Sequence, residues 1–290
     1  MGDLRQGALE GLVAAAVAEA SGVSNESLRR ALMLTGDLGA TAQIAATSGE
    51  EGLLAVQLMV LRPIKPMLAK TAASVWEAIE DLGRAFVKWK LDGARIQVHR
   101  DQDEIRIFAR NLNDVTARLP EIVEQVAAFE AASFVLDGEA LTLGEESRPA
   151  KFQDSMSRFG RGEAGGTHLA GFYFDCLHLD GADLIDEMLS VRRGALERLV
   201  GAAAIPGLAT SEPAAASAFL DAALSAGHES VMVKSLDSLY HAGRRGGAWR
   251  KVKPVITVDL VVLAADWGAD DAKAGCQNCT LARGRQMGHS

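Results

Sequence analysis

The chain has 290 residues, 48% of them hydrophobic, enough for one large domain or two smaller ones with a real core. A formal net charge of −8 excludes a surface that is basic throughout, although a local basic track is compatible with it. Three unevenly spaced cysteines exclude a disulfide framework, and the lack of a charged leader or a bilayer-length apolar run points to the cytoplasm and away from membranes.

Residues 1 to 61 read as helical. Ala8, Leu12, Ala15 and Ala16 fall at helical spacing, Ser24 and Asn25 interrupt them, and a second helical stretch runs from Leu28 through Met33. Arg62-Pro63 opens a mixed region, in which Ser74-x-x-Glu77 forms a capping box for a helix ending near Gly83. Polar and apolar residues then alternate on both sides of Asp92-Gly93, the strongest short-range signal for a tight β-hairpin. That register sets Lys90 opposite Arg95, Lys88 opposite Gln97 and Phe86 opposite His99. Val87, Trp89, Leu91, Ala94, Ile96 and Val98 form the core face.

Further helices are expected over Glu121 to Phe129, Ser190 to Val200 and Ala214 to Ala226, with strands between them. The pattern suggests an α+β domain of antiparallel sheets flanked by helices, preceded by a partial all-α domain. Asp137 and Glu139 alternate onto one face of a strand, unless Asp137-Gly138 is itself a turn, and Glu229 opens another strand. Trp249, Lys251 and Lys253 share one side of a third. His241 to Lys253 carries five basic residues, Arg244, Arg245, Arg250, Lys251 and Lys253, and no acid, a density suited to phosphate contacts. Thr257 to Trp267 reads as an apolar strand, whereas Cys276 to Ser290 shows no strand alternation. Cys276-x-x-Cys279 lacks the second ligand pair a zinc site needs, and no internal repeat is present.

Two cations facing each other across a ladder are tolerated best beneath an anion, although a half-buried hairpin with its lysines splayed into water is the bland alternative. Order and spacing along the chain favour a site. The run Lys90-Leu91-Asp92-Gly93-Ala94-Arg95 resembles the Lys-x-Asp-Gly-x-Arg signature of covalent nucleotidyltransferases. It is followed by Phe108-Ala109-Arg110-Asn111, Val135 to Ala140, Phe172 to Asp175, Gly227 to Lys234 and Trp249 to Pro254. In that order these are similar to the motifs of the ATP-dependent DNA ligases of the bacterial and archaeal branch.

The resemblance implies the end of a helical DNA-binding domain at 1–61 and a nucleotidyltransferase (ATP-grasp-like) adenylation domain at 62–254. The first strand of an oligonucleotide-binding barrel and an irregular tail would occupy 255–290. It implies ATP and Mg²⁺ as cofactors and nicked double-stranded DNA as partner, acted on by a monomer in repair, replication or recombination. Lys90 would become adenylylated. Arg95, Arg110, Glu139, Phe174, Lys251 and Lys253 would bind the nucleotide, with Phe174 near the adenine, while Glu139 and Glu229 would hold the metal and Arg5 would approach DNA.

The chemistry explains those residue types. A lysine must present a neutral amine to the α-phosphorus, yet an unperturbed lysine has a pKa of roughly 10.4 and is almost wholly protonated. Arg95, Lys251 and Lys253 are expected to supply a positive field that favours the neutral amine and then neutralises phosphate oxygens. Two positions depart from the pattern. Lys88 stands where the family usually has a glutamate associated with the adenine base, and Ser230 replaces a glycine, which is costly only if its φ is positive. Beyond about Ala269 the resemblance ends with fewer residues than a barrel needs, so nucleotide binding is expected to be retained more readily than sealing. Two other readings stay open, an RNA ligase or capping-type nucleotidyltransferase and a non-catalytic fragment that binds nucleotide or DNA.

Overall fold

The computed structural model describes residues 6–143, 168–241, 245–252, 260–267 and 276–283. The chain divides into two compact units, Met1–Lys253 and Pro254–Ser290. Three helices open the first unit: α1 (Gln6–Ser21), α2 (Asn25–Thr35) and α3 (Leu38–Leu54). The interruption at Ser24 is the N-cap of α2, where its hydroxyl accepts the Ser27 amide at 3.0 Å. A third helix, which the spacing does not predict, starts from an Asp37 cap. Ala14, Ala18, Leu28, Ala31, Ala45 and Leu53 form the common core of the three.

After β1 (Leu68–Ala72), the capping box is present as expected on α4 (Val75–Leu82). Ser74 accepts the Glu77 amide at 3.1 Å, the Glu77 carboxylate accepts the Ala73 amide at 2.6 Å, and Gly83 ends the helix at φ 65°. The chain continues through β2 (Ala85–Trp89), β3 (Ala94–Asp101), β4 (Glu104–Ala109), α5 (Pro120–Ala127), β5 (Ser133–Leu143) and β6 (His168–Leu179). Then come β7 (Ala182–Asp183), α6 (Leu189–Val200), β8 (Gly207–Thr210), α7 (Pro213–Ser225), β9 (Val231–Ser235) and β10 (Arg245–Val252). The expected helices over 121–129, 190–200 and 214–226 correspond to α5, α6 and α7.

These strands form two five-stranded sheets, ordered β1-β10-β9-β2-β8 and β4-β3-β5-β6-β7. Here the structure corrects the expected hairpin. β2 pairs with β8 and β9 in the first sheet, whereas β3 pairs with β4 and β5 in the second, so Lys90 does not face Arg95 across a ladder. The segment between them crosses from one sheet to the other. Asp-Gly makes a tight hairpin by adopting positive φ, and neither Asp92 nor Gly93 does so. Gly93 serves a close approach instead: a Cβ there would lie 2.6 Å from the Ala140 carbonyl oxygen. Asp137-Gly138 is likewise no turn but lies inside β5, at an irregularity in its pairing with β6.

The partition of side chains between faces holds within each strand, but both faces are buried. Val87 of β2 packs with Val231, Val233 and Val252 beneath α4 and α7, while Ile96 and Val98 of β3 pack with Leu136 and Tyr173 beneath α5 and α6. The inner faces of the two sheets share a third core that includes Met67, Leu91, Val135, Phe174, Leu177 and Trp249. The polar, cationic face expected for the hairpin is therefore interior, and Lys88, Gln97 and His99 are all buried.

The second unit contains β11 (Leu260–Trp267) paired antiparallel with β12 (Cys276–Arg283). The latter corrects the expectation of no strand between Cys276 and Ser290: ladder pairing with an apolar partner outweighs weak alternation. Among the described residues, no helix is long and apolar enough to cross a membrane. Arg5, Arg244 and Lys253 lie outside the described residues.

Candidate active site

The crossover between the sheets gives the site its geometry. Lys90 ends the run out of β2, its amide donating to the Ser230 carbonyl at 3.0 Å beside β9, and Gly93 begins the approach to β3. The Gly93 amide donates at 3.1 Å to Glu139 of β5, so the linker is fixed to both sheets. A cleft of about 840 Å³ opens along it, lined by Lys90, Arg95, Arg110, Glu139, Phe174 and Lys251 among others. Six of the eight sequence-predicted site residues thus meet in one cavity. Glu229 is exposed on the approach to β9 rather than on a strand, and it does not line the cleft. Lys253 lies outside the described residues. Trp249 and Lys251 do share one side of β10, both lining the cleft.

The closest charged partner of Lys90 is a carboxylate, not a cation: its amine is ion-paired with Asp92, and its side chain is 23% exposed to the cleft. Arg95, expected to act on Lys90, is engaged elsewhere. It grips Asp137 through two hydrogen bonds of 3.0 and 2.6 Å and donates to the Met67 carbonyl at 2.8 Å. The Tyr240 hydroxyl donates to Asp137 at 2.8 Å and accepts the Met67 amide at 3.0 Å. Burial opposes the Arg95 charge, but Asp137, Tyr240 and Glu139 together outweigh it and hold the guanidinium firmly protonated. This bidentate pair ties β3 and β5 to the segment entering β1.

Burial raises the Glu139 carboxyl above its usual range, against the nearby Lys88, the Gly93 amide, Lys90 and Arg95. Lys88 is the opposite case. Only 2% exposed, its amine is pulled down to about 8 by desolvation, helped by Arg95 and opposed by Glu139. The Lys88 amine donates to the Trp89 carbonyl at 3.2 Å and lies 4.6 Å from the centre of the Phe174 ring. Lys234 of β9 approaches the same ring at 4.4 Å and the Trp249 ring at 3.6 Å, with Asp175 at 3.7 Å. Its burial lowers the amine well below the lysine range.

Lys88 and Lys234 line the cleft, and Asp137 and Tyr240 support it through Arg95; Lys88 and Asp137 are marked in the sequence, whereas Tyr240 is not evident from residue type. For Lys234 a signal did exist: Val231-Met232-Val233-Lys234 alternates, and its even positions line the cleft. Ser230 does not have positive φ, so its replacement of glycine carries no backbone strain. Among the described residues, no group of three His, Cys, Asp or Glu side chains could hold a metal alone. Glu139, a carboxylate lining the cleft, still fits Mg²⁺, which usually takes one or two carboxylates together with substrate phosphates.

The family model for the ATP dependent DNA ligase domain matches residues 66–253. A probable DNA ligase of Pseudarthrobacter chlorophenolicus is 55% identical across 93% of this chain and 53% of its own length. One from Saccharopolyspora erythraea is 52% identical across 92% of this chain and 52% of its own. Among solved structures, a mycobacterial DNA ligase D complexed with ATP and MES superposes with a TM-score of 0.54 at 30% identity, covering 70% of this chain and 64% of that one. The chain spans about half the length of the curated relatives it matches.

Proposed function

The chain belongs to the ATP-dependent DNA ligase family, and we propose that it performs the nucleotidyl-transfer chemistry of a DNA ligase with Lys90 as nucleophile. The observation that carries this reading is the convergence of Lys90, Glu139, Phe174 and Lys251, from two different sheets, on one cleft. The Lys90 nitrogen attacks the α-phosphorus of ATP, forming a P–N bond as the bond to the bridging oxygen breaks and pyrophosphate leaves with the electron pair. Asp92, already ion-paired with that amine, is placed to take its proton. Lys251 and Arg110 line the same cleft and would neutralise the phosphate oxygens, as Lys253 would from the end of the same basic run.

AMP then passes to a DNA 5′-phosphate, and attack by the adjacent 3′-hydroxyl expels it and closes a nick in double-stranded DNA. Arg95 would act by fixing the floor of the cleft, and Phe174 by shaping its base-binding end. Glu139 would hold Mg²⁺, which when bound screens charge on the triphosphate, whereas Glu229 does not line the cleft and takes no part there. Acting on DNA, the protein would work in the cytoplasm.

The test is labelling with α-³²P ATP and Mg²⁺, read by gel and intact mass. Wild type should gain one covalent AMP, and Lys90→Ala none. An adduct that persists in Lys90→Ala would overturn the assignment.

A further inference from the structure

The apolar end of the cleft is a donor-only wall. Phe174, Trp249, Met67 and Met232 line it, and the polar side-chain groups among them are the amines of Lys88 and Lys234 and the Arg95 guanidinium, 5.3 Å from the centre of the Phe174 ring. The two lysines come from neighbouring strands of the first sheet, where Lys88 pairs with Met232 and Lys234 with Trp249. The side-chain acceptors that line the cleft are Asp92 on the crossover, Asn111 in the turn after β4, and Glu139 on β5, whose charge is felt at Lys88. Asp92 is already paired with Lys90, and Glu139 is bonded to the Gly93 amide.

Among the described residues, the Lys88 amine has one hydrogen bond, to Trp89, and the buried Lys234 amine has none. Both are buried, at 2% and 1% exposure, so donors left unmatched there are costly. An aromatic and thioether-lined end suits a flat base, while Lys90, Lys251 and Arg110 suit phosphates.

A base edge entering this end meets N–H groups. Adenine presents N7 beside a 6-amino donor, which meets those groups donor against donor. A 6-oxopurine presents N7 and O6, two adjacent acceptors, the combination lysine and arginine recognise on guanine. We propose that Lys88 is a specificity-determining residue that turns the base subsite toward purines carrying a 6-oxo group, so that the cleft accepts inosine or guanosine nucleotides at least as well as adenosine nucleotides. The inference rests on reading the cleft as a nucleotide site and goes beyond it in naming the base.

The test separates base preference from group transfer. Calorimetric titration of the full chain with IMP and with AMP reads the preference at equilibrium, without any reaction at Lys90. Wild type should bind IMP as tightly as AMP or tighter. Lys88→Glu, which exchanges donors for acceptors, should move the IMP-to-AMP affinity ratio toward AMP by about tenfold. Lys88→Met, which removes the donors at similar length, should move it in the same direction by less and guards against misfolding of the charged variant. Single-turnover labelling with α-³²P GTP and α-³²P ATP should follow the same order. If wild type prefers AMP by tenfold or more, or the ratio is the same in all three proteins, the proposal is wrong even where ATP labels Lys90. Retained IMP preference without any covalent label would instead support it while removing the ligase reading.

Discussion

Replacing Lys88 with methionine should stabilise the protein, and by an amount that depends on pH in a calculable way. Lys88 is almost fully buried, and its amine titrates at about 8 in the folded chain against 10.5 for the free side chain. Below pH 8 both folded and unfolded states carry the proton, and the folded state bears the full cost of a buried charge, about 3 kcal/mol. Between pH 8 and 10.5 the unfolded chain still holds a proton that the folded chain has lost, so stability recovers as pH rises. Methionine keeps an unbranched side chain of similar length without the charge, but forfeits the 3.2 Å bond to the Trp89 carbonyl, worth about 1 kcal/mol. The net expectation is a gain of about 2 kcal/mol at pH 7 that has largely vanished by pH 10. Urea titrations of both proteins at the two pH values read this difference, and titrations common to both cancel in it. A variant no more stable than wild type at pH 7, or a gain that persists unchanged at pH 10, would refute the reasoning.

Three other perturbations probe the remaining parts of the site. Asp137→Asn leaves the Arg95 guanidinium buried without its carboxylate and should cost about 3 kcal/mol in urea unfolding, with loss of adenylylation because the Met67 segment is released. Gly93→Ala drives a methyl to 2.6 Å from the Ala140 carbonyl, so the crossover must shift; single-turnover labelling should slow by about 100-fold. His99, held between the Leu61 amide at 3.1 Å and Gln97 at 2.9 Å, is pushed down to about 3 by burial and stays neutral. The unfolded chain takes up that proton near pH 6.5, so stability should fall between pH 6.5 and 3, on the order of 5 kcal/mol in all. By NMR the His99 ring should show no titration between pH 8 and 4.

Local chemistry was the most readable part of the sequence. The Ser74 box, Gly83 and the α5, α6 and α7 periods are set by residues within one or two turns, so spacing suffices to place them. The alternation around Asp92 was equally clear and equally local, which is why it misled. It reports that each strand has two distinct faces, not which strand lies beside it, and long-range pairing took β2 and β3 into different sheets. The ordered motifs placed Arg95 in the cleft, but not its bond to Asp137, because that depends on register between β3 and β5. Nor does residue type reveal that Lys88 and Lys234 are interior. Lysines are rarely fully buried, and only the stacking of the second sheet over the first excludes water from these two.

The separation of β2 from β3 bears directly on how the site works. Within a hairpin, a nucleophile at Lys90 would be placed by one turn. Here its position depends on two sheets at once, through the Ser230 contact on one side and the Gly93–Glu139 bond on the other. The Arg95–Asp137–Tyr240 cluster fixes the second sheet to the Met67 segment, and that segment leads into β1 of the first. The buried ion pair is thus better understood as alignment than as stability, since a well-packed apolar replacement could match its energy but not its direction. It follows that substitutions at Asp137 and Tyr240, neither of which lines the cleft, should lower the rate of Lys90 labelling more than they weaken nucleotide binding. Labelling rates at saturating nucleotide for Tyr240→Phe, set beside its affinity by calorimetry, make the comparison. Equal losses in both would show that the cluster holds the ligand rather than the nucleophile.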